Sequence, residues 1–521
     1  MNSTDQPSAT TQRPWSWQRS CFPALVLLGL LDRLHLLLRF GSRYVGTDDS
    51  IIWQGASDYA RLIFHEPYFY GQDYNPMLEA LLAAPFIAMG LVHWFVLPTI
   101  TCLLSLAPYW AFGAWHQRQG RHFYAAAFAA MPLLLSTEYA ISTMITRGFV
   151  SGLAMLVFWP WVAGLSHQLR RSMAAGLVLS SAIFMNPNAA PLVVALGLSF
   201  LLEQRDKARA LGGILLGTLP FAIASRAAQA WFKAHPDHVW HSLYDWRMIF
   251  HPEGMLEGAG NVGHLFHALG PWPIPGATWI LAGVVVLLFL LVKLRDSSAV
   301  LALLAGCAVV VLSWGFAKVH DGEANAFYPI WRMFMALPLL LLWASTMSPA
   351  SRISSKWPLL FLLAWTAASF FNRSVHMART VLEGVAMAPG QVLEQDLATL
   401  WKDAIVIKEL CDEQDVDAII CLDRWRPGDS QFPAYLYPVL IQDLPPTYLP
   451  HKDRRQWQRA TLGRGHGMRS LVLGGTAAQW ERAVARAPTI LTLAMDPLGS
   501  AHLVPASELS TDSLLVVLFQ E

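Results

Sequence analysis

The chain has 521 residues, 54% hydrophobic and 14% charged, with a mean hydropathy of +0.38. A soluble domain carries roughly 25% charged residues, so an ordinary soluble enzyme is excluded. Apolar stretches of about 18 or more residues recur and point to a polytopic helical membrane protein. The net charge is +1 and the pI about 7.8, which offers no case for nucleic-acid binding. The apolar runs are continuous rather than alternating, which excludes a transmembrane β-barrel.

Residues 1–20 are polar, with Pro and Ser, and read as a disordered tail. Arg13 and Arg19 precede the first apolar run. No small-residue cleavage site follows it, so the run reads as an uncleaved anchor with its tail inside. Membrane helices are predicted at 21–40, 77–95, 98–115, 123–136, 148–165, 173–202, 211–227, 277–292, 300–316, 328–344 and 359–371, about eleven in all. Within the first, Asp32 and His35 share a face at i, i+3 spacing. With Arg33 and Arg39 nearby, structural pairing inside the bundle is the expectation.

The stretch 173–202 is interrupted by Asn186-Pro187-Asn188. A broken helix frees backbone groups, which is tolerated only against protein or a wet cavity. It reads as one tilted span or two short ones. Arg118 and Arg121, Arg170 and Arg171, and Arg205, Lys207 and Arg209 fall in three successive loops. Strict alternation cannot put all three on one side, so the middle topology stays open. Many of the 22 Trp sit at predicted helix ends, such as Trp94, Trp110, Trp115, Trp231 and Trp272, as in an interfacial belt.

The first loop, 41–76, is rich in acids and aromatics: Tyr44-Val45-Gly46-Thr47-Asp48-Asp49, then Phe69-Tyr70-Gly71-Gln72-Asp73-Tyr74. Ile52, Ala56, Tyr59 and Ile63 fall at helical spacing, which predicts an amphipathic helix on the membrane surface. Adjacent carboxylates repel, which raises the pKa of one and suits it to general-base work. Thr47 or Asp48 as an N-cap is the competing reading, and both roles can hold. A second polar loop, 233–275, carries His235, His238, His241, His251, His264 and His267. No carboxylate–His grouping of known spacing supports zinc there, and a lid over the site is the better reading of this Gly-rich segment.

Beyond 371 the apolar runs stop. A helix is predicted at 391–410 and strands at 417–423, 469–474 and 490–494, a small α/β domain within 372–521. Cys411 and Cys421 can pair there if the domain faces an oxidising compartment.

The acid pair soon after the first helix, Asp48-Asp49, with Phe69-Tyr70-Gly71-Gln72-Asp73-Tyr74 and Leu78-Glu79-Ala80, resembles bacterial GT-C glycosyltransferases. These are relatives of protein O-mannosyltransferases and of the aminoarabinose transferases of lipid A. Thr146-Arg147-Gly148-Phe149, Asn186-Pro187 and Tyr328-Pro329-Ile330-Trp331-Arg332 are similar to later family segments. The second acid in the family is often Glu, and here it is Asp49. The likeness in layout covers most of 21–371 and is most specific across 46–85.

The resemblance implies an all-α, GT-C-like membrane domain at 21–371 with its active site in the first loop. It implies a location in the inner (plasma) membrane, with the loop and the C-terminal domain extracytoplasmic. It implies a donor sugar on a polyprenyl phosphate and a glycan, lipid or protein acceptor. The family's acceptor-activating carboxylate maps onto Asp48, beside Asp49, and a second acidic position onto Asp73 or Glu79. Tyr70, Gln72 and Tyr74 fall in the same binding motif. Arg147 and Arg332 are the expected phosphate ligands, because a guanidinium forks onto phosphate. No cofactor is firmly implied; a divalent ion held by Asp48, Asp49 and Asp73 is the alternative if neither arginine grips the phosphate. A secondary transporter and a non-catalytic polyprenyl-lipid-binding protein are the competing classes.

Overall fold

A computed structural model of the chain describes residues 17–243, 245, 247–321, 330–347, 356–383, 394–422, 437–441, 443–449, 455, 457–458, 468–495, 499–505, 513 and 518. Most of the expected tail, and Tyr328 and Pro329, lie outside the described residues. The apolar runs fold as helices running between two common ends. α1 (Trp17–Leu36) starts where Gln117 Nε2 donates to the Arg19 carbonyl at 2.8 Å, and closes in a wider π-helical turn, Leu37–Gly41. Its Leu27, Leu31, Leu34 and Leu38 are exposed, as are Val285, Phe289 and Val292 on the helix Gly276–Lys293. Bare stripes of large apolar side chains on long helices mark surfaces that face lipid.

After α1 come β1 (Tyr44–Gly46), α2 (Thr47–Ala60), α3 (Leu78–Ala88), α4 (His93–Arg118) and α5 (His122–Leu134). The expected span 77–95 does not cross. α3 has 11 residues, about 16 Å of helix, and a left-handed turn at Gly90 (φ +87°) sends the chain back. α4 therefore starts at the same end, with His93 Nε2 2.7 Å from Ser57 Oγ of α2. Of the two readings of 173–202, one tilted span or two short ones, the structure takes the second. The helix Gln168–Met185 stops at Asn186, whose side chain accepts the Asn188 N–H at 3.1 Å, and the helix Ala190–Glu203 runs back.

One predicted crossing is lost and one gained. Eleven legs result among the described residues: α1, α4, α5, then 151–163, 168–185, 190–203, 207–234, 276–293, 297–313, 330–346 and 356–383. Four helices, Trp17–Gly41, His93–Arg118, Lys207–Ala234 and Gly276–Lys293, are long and apolar enough to cross a membrane unaided. The changed parity resolves the arginine loops. Trp115, Arg121, Arg171 and Glu203 line one cavity, and Gln168 Nε2 donates to the Asp206 carbonyl at 3.0 Å. All three basic loops thus turn at the end that holds Arg19, the basic end. The first loop and the C-terminal sheet occupy the other, the loop end.

Asp32 pairs with Arg373 of the last leg at 2.7 Å, not with His35. Arg373 also donates to the carbonyls of Pro132, Leu133 and Leu135 at the end of α5. Arg33 donates to Ala140 O at 2.7 Å and to Thr143 Oγ1 at 3.1 Å. The charges of α1 therefore tie it to α5, to the last leg and to the short helix Thr137–Ser142, and removing one partner of such a buried pair costs about 3–5 kcal/mol.

The last leg, Lys356–Glu383, continues past 371. The expected helix at 391–410 begins at Leu397, because residues Glu394–Asp396 form β2, paired antiparallel with β1. The C-terminal sheet comprises β3 (Ala418–Cys421), β4 (Thr447–Tyr448), β5 (Ser470–Leu473), β6 (Leu491–Met495) and β7 (Gly499–Val504), in the order β4-β3-β5-β7-β6. β3 is parallel to β4 and β5, and β7 is antiparallel to β5 and β6. Cys411 and Cys421 are both buried and are separate thiols, so the expected bridge is not formed. Burial pushes the Cys411 thiol up to about 12.

α2 is not the exposed amphipathic helix expected, because its apolar residues are covered by protein. Ile51, Ile52, Trp53, Ala56 and Tyr59 share a core with Leu400, Ala404 and Ile407 of the helix Leu397–Gln414 and with Ile419 and Leu471 of the sheet. Three consecutive large apolar residues, Ile51 to Trp53, give α2 apolar contacts on more than one face. It is consequently buried in the seam between bundle and C-terminal domain.

Candidate active site

α2 opens at Gly46, which is extended (φ −101°, ψ 171°), so neither Thr47 nor Asp48 is the N-cap. The capping carboxylate is Asp49: its Oδ2 accepts the Gly46 N–H at 2.9 Å. Asp49 Oδ1 lies 3.4 Å from Arg147 Nε, and both side chains are buried. Asp48, one residue earlier, is half-buried. The pair is thus divided, one acid locked into the helix start and one nearer the surface. Both sit where the helix dipole favours negative charge.

Arg147 belongs to a loop that the rest of the site holds. Glu79, wholly buried, accepts the Gly148 N–H at 2.9 Å and Ser151 Oγ–H at 3.0 Å. Asn75 Nδ2 donates to the Arg147 carbonyl at 3.4 Å, and Asn186 Nδ2 to the Gly148 carbonyl at 2.9 Å. Asn188 Nδ2 donates to the carbonyls of Phe149 and Arg332. The Arg332 guanidinium lies 5.4 Å over the Phe149 ring. The helix break at Asn186-Pro187-Asn188 is therefore paired with the arginine loop and the start of the leg 330–346.

The aromatic half of the first loop is strapped by the second loop. Trp240 N–H and His241 N–H both donate to the Gly71 carbonyl, and Gln72 bridges to His241. Asp73 accepts Ser242 Oγ–H at 2.8 Å and the Leu243 N–H at 2.9 Å. Glu66 accepts the Gly71 N–H at 2.9 Å and faces His238 Nδ1 at 3.0 Å. Burial pushes the Glu66 carboxyl up to about 8, although the Gly71 bond opposes it. Tyr70 is fully buried and its hydroxyl donates to Asp58 Oδ2 at 2.8 Å. Trp457 of the C-terminal domain stacks on His65 at 3.8 Å. The histidines of the second loop are scattered accordingly: His238 meets Glu66 and His241 the Gly71 backbone. Among the described residues no group of three or more His, Cys, Asp or Glu is placed to hold a metal.

A group of cations stands beside Tyr74. Lys318 Nζ lies 5.9 Å over the Tyr74 ring and 3.4 Å from Asp321 Oδ2, and Arg247 Nη2 lies 3.2 Å from the same oxygen. Arg332 Nη2 donates to the Asp321 carbonyl at 2.5 Å. Burial, then the charges of Arg332 and Arg247, pull the Lys318 ammonium down to about 8 despite Asp321. Burial raises Asp321, but Lys318, Arg247 and Arg332 outweigh it and hold its carboxyl below the usual range. Lys318, Arg247 and Arg332 thus gather around Asp321, and a cluster of cations is a setting for an anion.

Of the residues singled out in the sequence, Asp49, Glu79 and Arg147 form one contact network, which Arg332 joins through Phe149 and Asn188. Asp73, Gln72 and Tyr70 sit on the neighbouring strap. Lys318, Asp321, Arg247, Asp58, Glu66 and Asn75 were not singled out. Their signal was faint: Lys318 and Asp321 are an i, i+3 pair in the polar gap after a predicted span, and Glu66 ends a short acid–aromatic run.

The fold is a polytopic helical bundle whose first loop and C-terminal domain meet at one end, GT-C-like in its layout. Two solved structures share it over nearly the whole chain. One is ArnT from Cupriavidus metallidurans bound to undecaprenyl phosphate, at 12% identity and a TM-score of 0.52, covering 92% of this chain and 97% of that one. The other is the same protein in the apo state, at 10% identity and a TM-score of 0.55, covering 94% and 98%. The likeness is one of fold. No family model matches the chain, and no curated protein matches it in sequence.

Proposed function

We propose that the protein is an inverting membrane glycosyltransferase that moves a sugar from a polyprenyl-phosphate donor to an acceptor hydroxyl at the loop end. The observation that carries this reading is the division of charge in the site. A carboxylate pair on a helix start is joined through Arg147 and Phe149 to a cation group at Arg332, Lys318 and Arg247. The solved relative of the same fold that holds undecaprenyl phosphate supports a lipid-linked donor.

Asp49 caps the helix at Gly46 and faces Arg147; Asp48, half-buried beside it at the helix start, is taken as the base. It takes the acceptor O–H proton as the oxygen attacks the anomeric carbon. The bond from that carbon to the phosphate oxygen breaks, and its electron pair leaves with the polyprenyl phosphate. The cation group stabilises that developing charge, the largest electrostatic demand of the step. A groove of about 400 Å³, lined by Tyr59, Phe64, Leu78, Leu81, Met185 and Trp231 among others, gives an apolar tail a path beside α3. The concentration of arginine at the basic end supports a reading with that end in the cytosol and the site on the far side of the plasma membrane.

The test is incubation of purified protein with a panel of polyprenyl-phosphate sugars, scoring free polyprenyl phosphate. Release that needs an added acceptor and is lost in Asp48→Asn supports the reading. Solute counterflow without carrier release favours a transporter and overturns it.

A further inference from the structure

A second polar cavity lies at the opposite end of the bundle. It encloses about 200 Å³ among α4, the start of α5 and the legs 151–163, 168–185, 190–203 and 330–346. α4 starts beside Ser57 at the loop end and reaches His116 roughly 35 Å away, at about 1.5 Å per residue. The cavity is therefore separate from the candidate active site.

Two buried nitrogens in its polar lining lack partners. His116 is only 5% exposed, and its Nδ1 has no hydrogen-bond partner. Arg171 Nε is also buried without a partner, while its guanidinium lies 5.3 Å over the Phe200 ring. Arg121 lines the mouth and is exposed. Among the described residues neither arginine has a carboxylate within ion-pair distance. Glu203, the acid in the lining, is held by Ser199 Oγ at 3.0 Å. Two guanidinium groups and an imidazole thus face a space closed by aromatic walls. A buried donor without an acceptor is costly, and a phosphate supplies several acceptors at once.

We infer that this cavity binds a phosphate group at the basic end, with Arg171 as its fork, Arg121 at its mouth and His116 as a neutral donor through Nδ1–H. The ligand class is a phosphate ester on a lipid head group, or free phosphate. Basic pockets between membrane helices on the arginine-rich side suit anionic head groups, and Trp115, Trp159 and Trp343 in the wall fit the depth of a membrane interface.

The full chain in detergent is titrated with dihexanoylphosphatidic acid, with inorganic phosphate and, as a phosphate-free control, with dihexanoylglycerol. Bound mass by native mass spectrometry and melting temperature are read at constant ionic strength. Phosphatidic acid should bind and raise the melting temperature, and Arg171→Met and Arg121→Met should each weaken it about tenfold or more. Should Arg171→Met fold poorly, Arg121→Met and His116→Phe carry the test, since Arg121 is exposed and Phe keeps the ring packing of His116. Tighter binding of phosphatidic acid than of inorganic phosphate assigns a lipid; equal binding assigns the free anion. Equal binding of dihexanoylglycerol, or wild-type affinity in all folded variants, overturns the site. None of these variants touches the loop end, so sugar transfer should continue whichever way the binding result falls.

Discussion

The Glu79 carboxylate accepts the Gly148 N–H at 2.9 Å across 69 residues of chain. The arginine loop of the site thus hangs from the first turn of α3, and Asn75 closes it from the other side. Gly148 has φ +73°, and a Cβ there would lie 2.5 Å from Asn75 Oδ1.

Gly148→Ala should therefore destabilise and should also impair transfer. The left-handed backbone costs an alanine about 1–2 kcal/mol, and Asn75 must move besides. Adding Asn75→Ala should return part of the melting temperature by making room, while transfer stays low because the loop has lost a tether. A Gly148→Ala protein with wild-type melting and rate would show that the loop conformation does not matter.

Asp48→Asn and Asp49→Asn should fail differently. The first leaves the helix start intact, since Asp48 is not the cap, so melting should hold while transfer falls roughly 10²–10⁴-fold. The second weakens the cap on the Gly46 N–H and removes a charge that faces buried Arg147, so melting should fall first. Transfer above about a tenth of wild type in Asp48→Asn would move the base to Asp49.

The membrane class, the acid pair and the segments that hold the arginine loop were legible because each is a local pattern: a long apolar run, adjacent carboxylates, a Pro in a helix. The crossings were less so. The span 77–95 is as apolar as a true span, yet Gly90 turns it back, and hydropathy does not register a left-handed glycine. The run 173–202 is long enough for one tilted span, and the side-chain cap of Asn186 decides for two. β4 has two residues, and the sequence of β7 does not alternate cleanly, so neither announced itself. Asp32 was expected beside His35 because local spacing cannot see Arg373, 341 residues on. Lys318 and Asp321 gain their meaning only from Arg247 and Arg332, which tertiary packing brings to them.

Single cysteines should report two faces. With the native cysteines replaced, Arg61→Cys and Trp401→Cys, both exposed at the loop end, should react with a membrane-impermeant maleimide on intact cells. Gln119→Cys and Arg205→Cys, near the basic end, should react only after the cells are opened. Labelling of Arg61→Cys and Arg205→Cys from the same side would break the eleven-leg path.

Glu66 should make stability pH-dependent. Its folded carboxyl titrates at about 8 against an ordinary 4.5. Across that window the folded state keeps a proton that the unfolded state has released, so stability falls as pH rises. His238, whose pKa burial lowers, adds no change above neutrality. Glu66→Gln keeps an acceptor for the Gly71 N–H and cannot ionise. The wild-type melting temperature should drop between about pH 5 and 8 and that of Glu66→Gln should stay flatter. Parallel curves would remove Glu66 as the titrating group.

Lys318 should set the alkaline limit of donor binding. Its ammonium titrates at about 8, so the charge that faces a donor phosphate is lost as pH rises through that value. The KM for donor should climb above about pH 8 with little change in kcat near neutrality. Lys318→Arg should flatten the profile, since a guanidinium stays charged, and Lys318→Met should show the raised KM already at pH 7. Arg332→Lys tests the neighbouring position: it keeps the charge but loses the planar fork and the Nη2 bond to the Asp321 carbonyl, so donor KM should rise at every pH without a new inflection. If both Lys318 variants keep the wild-type profile, the phosphate is held elsewhere. The N–H groups at the start of α2 are then the next candidates, because a helix N-terminus supplies both donors and a favourable dipole to an anion.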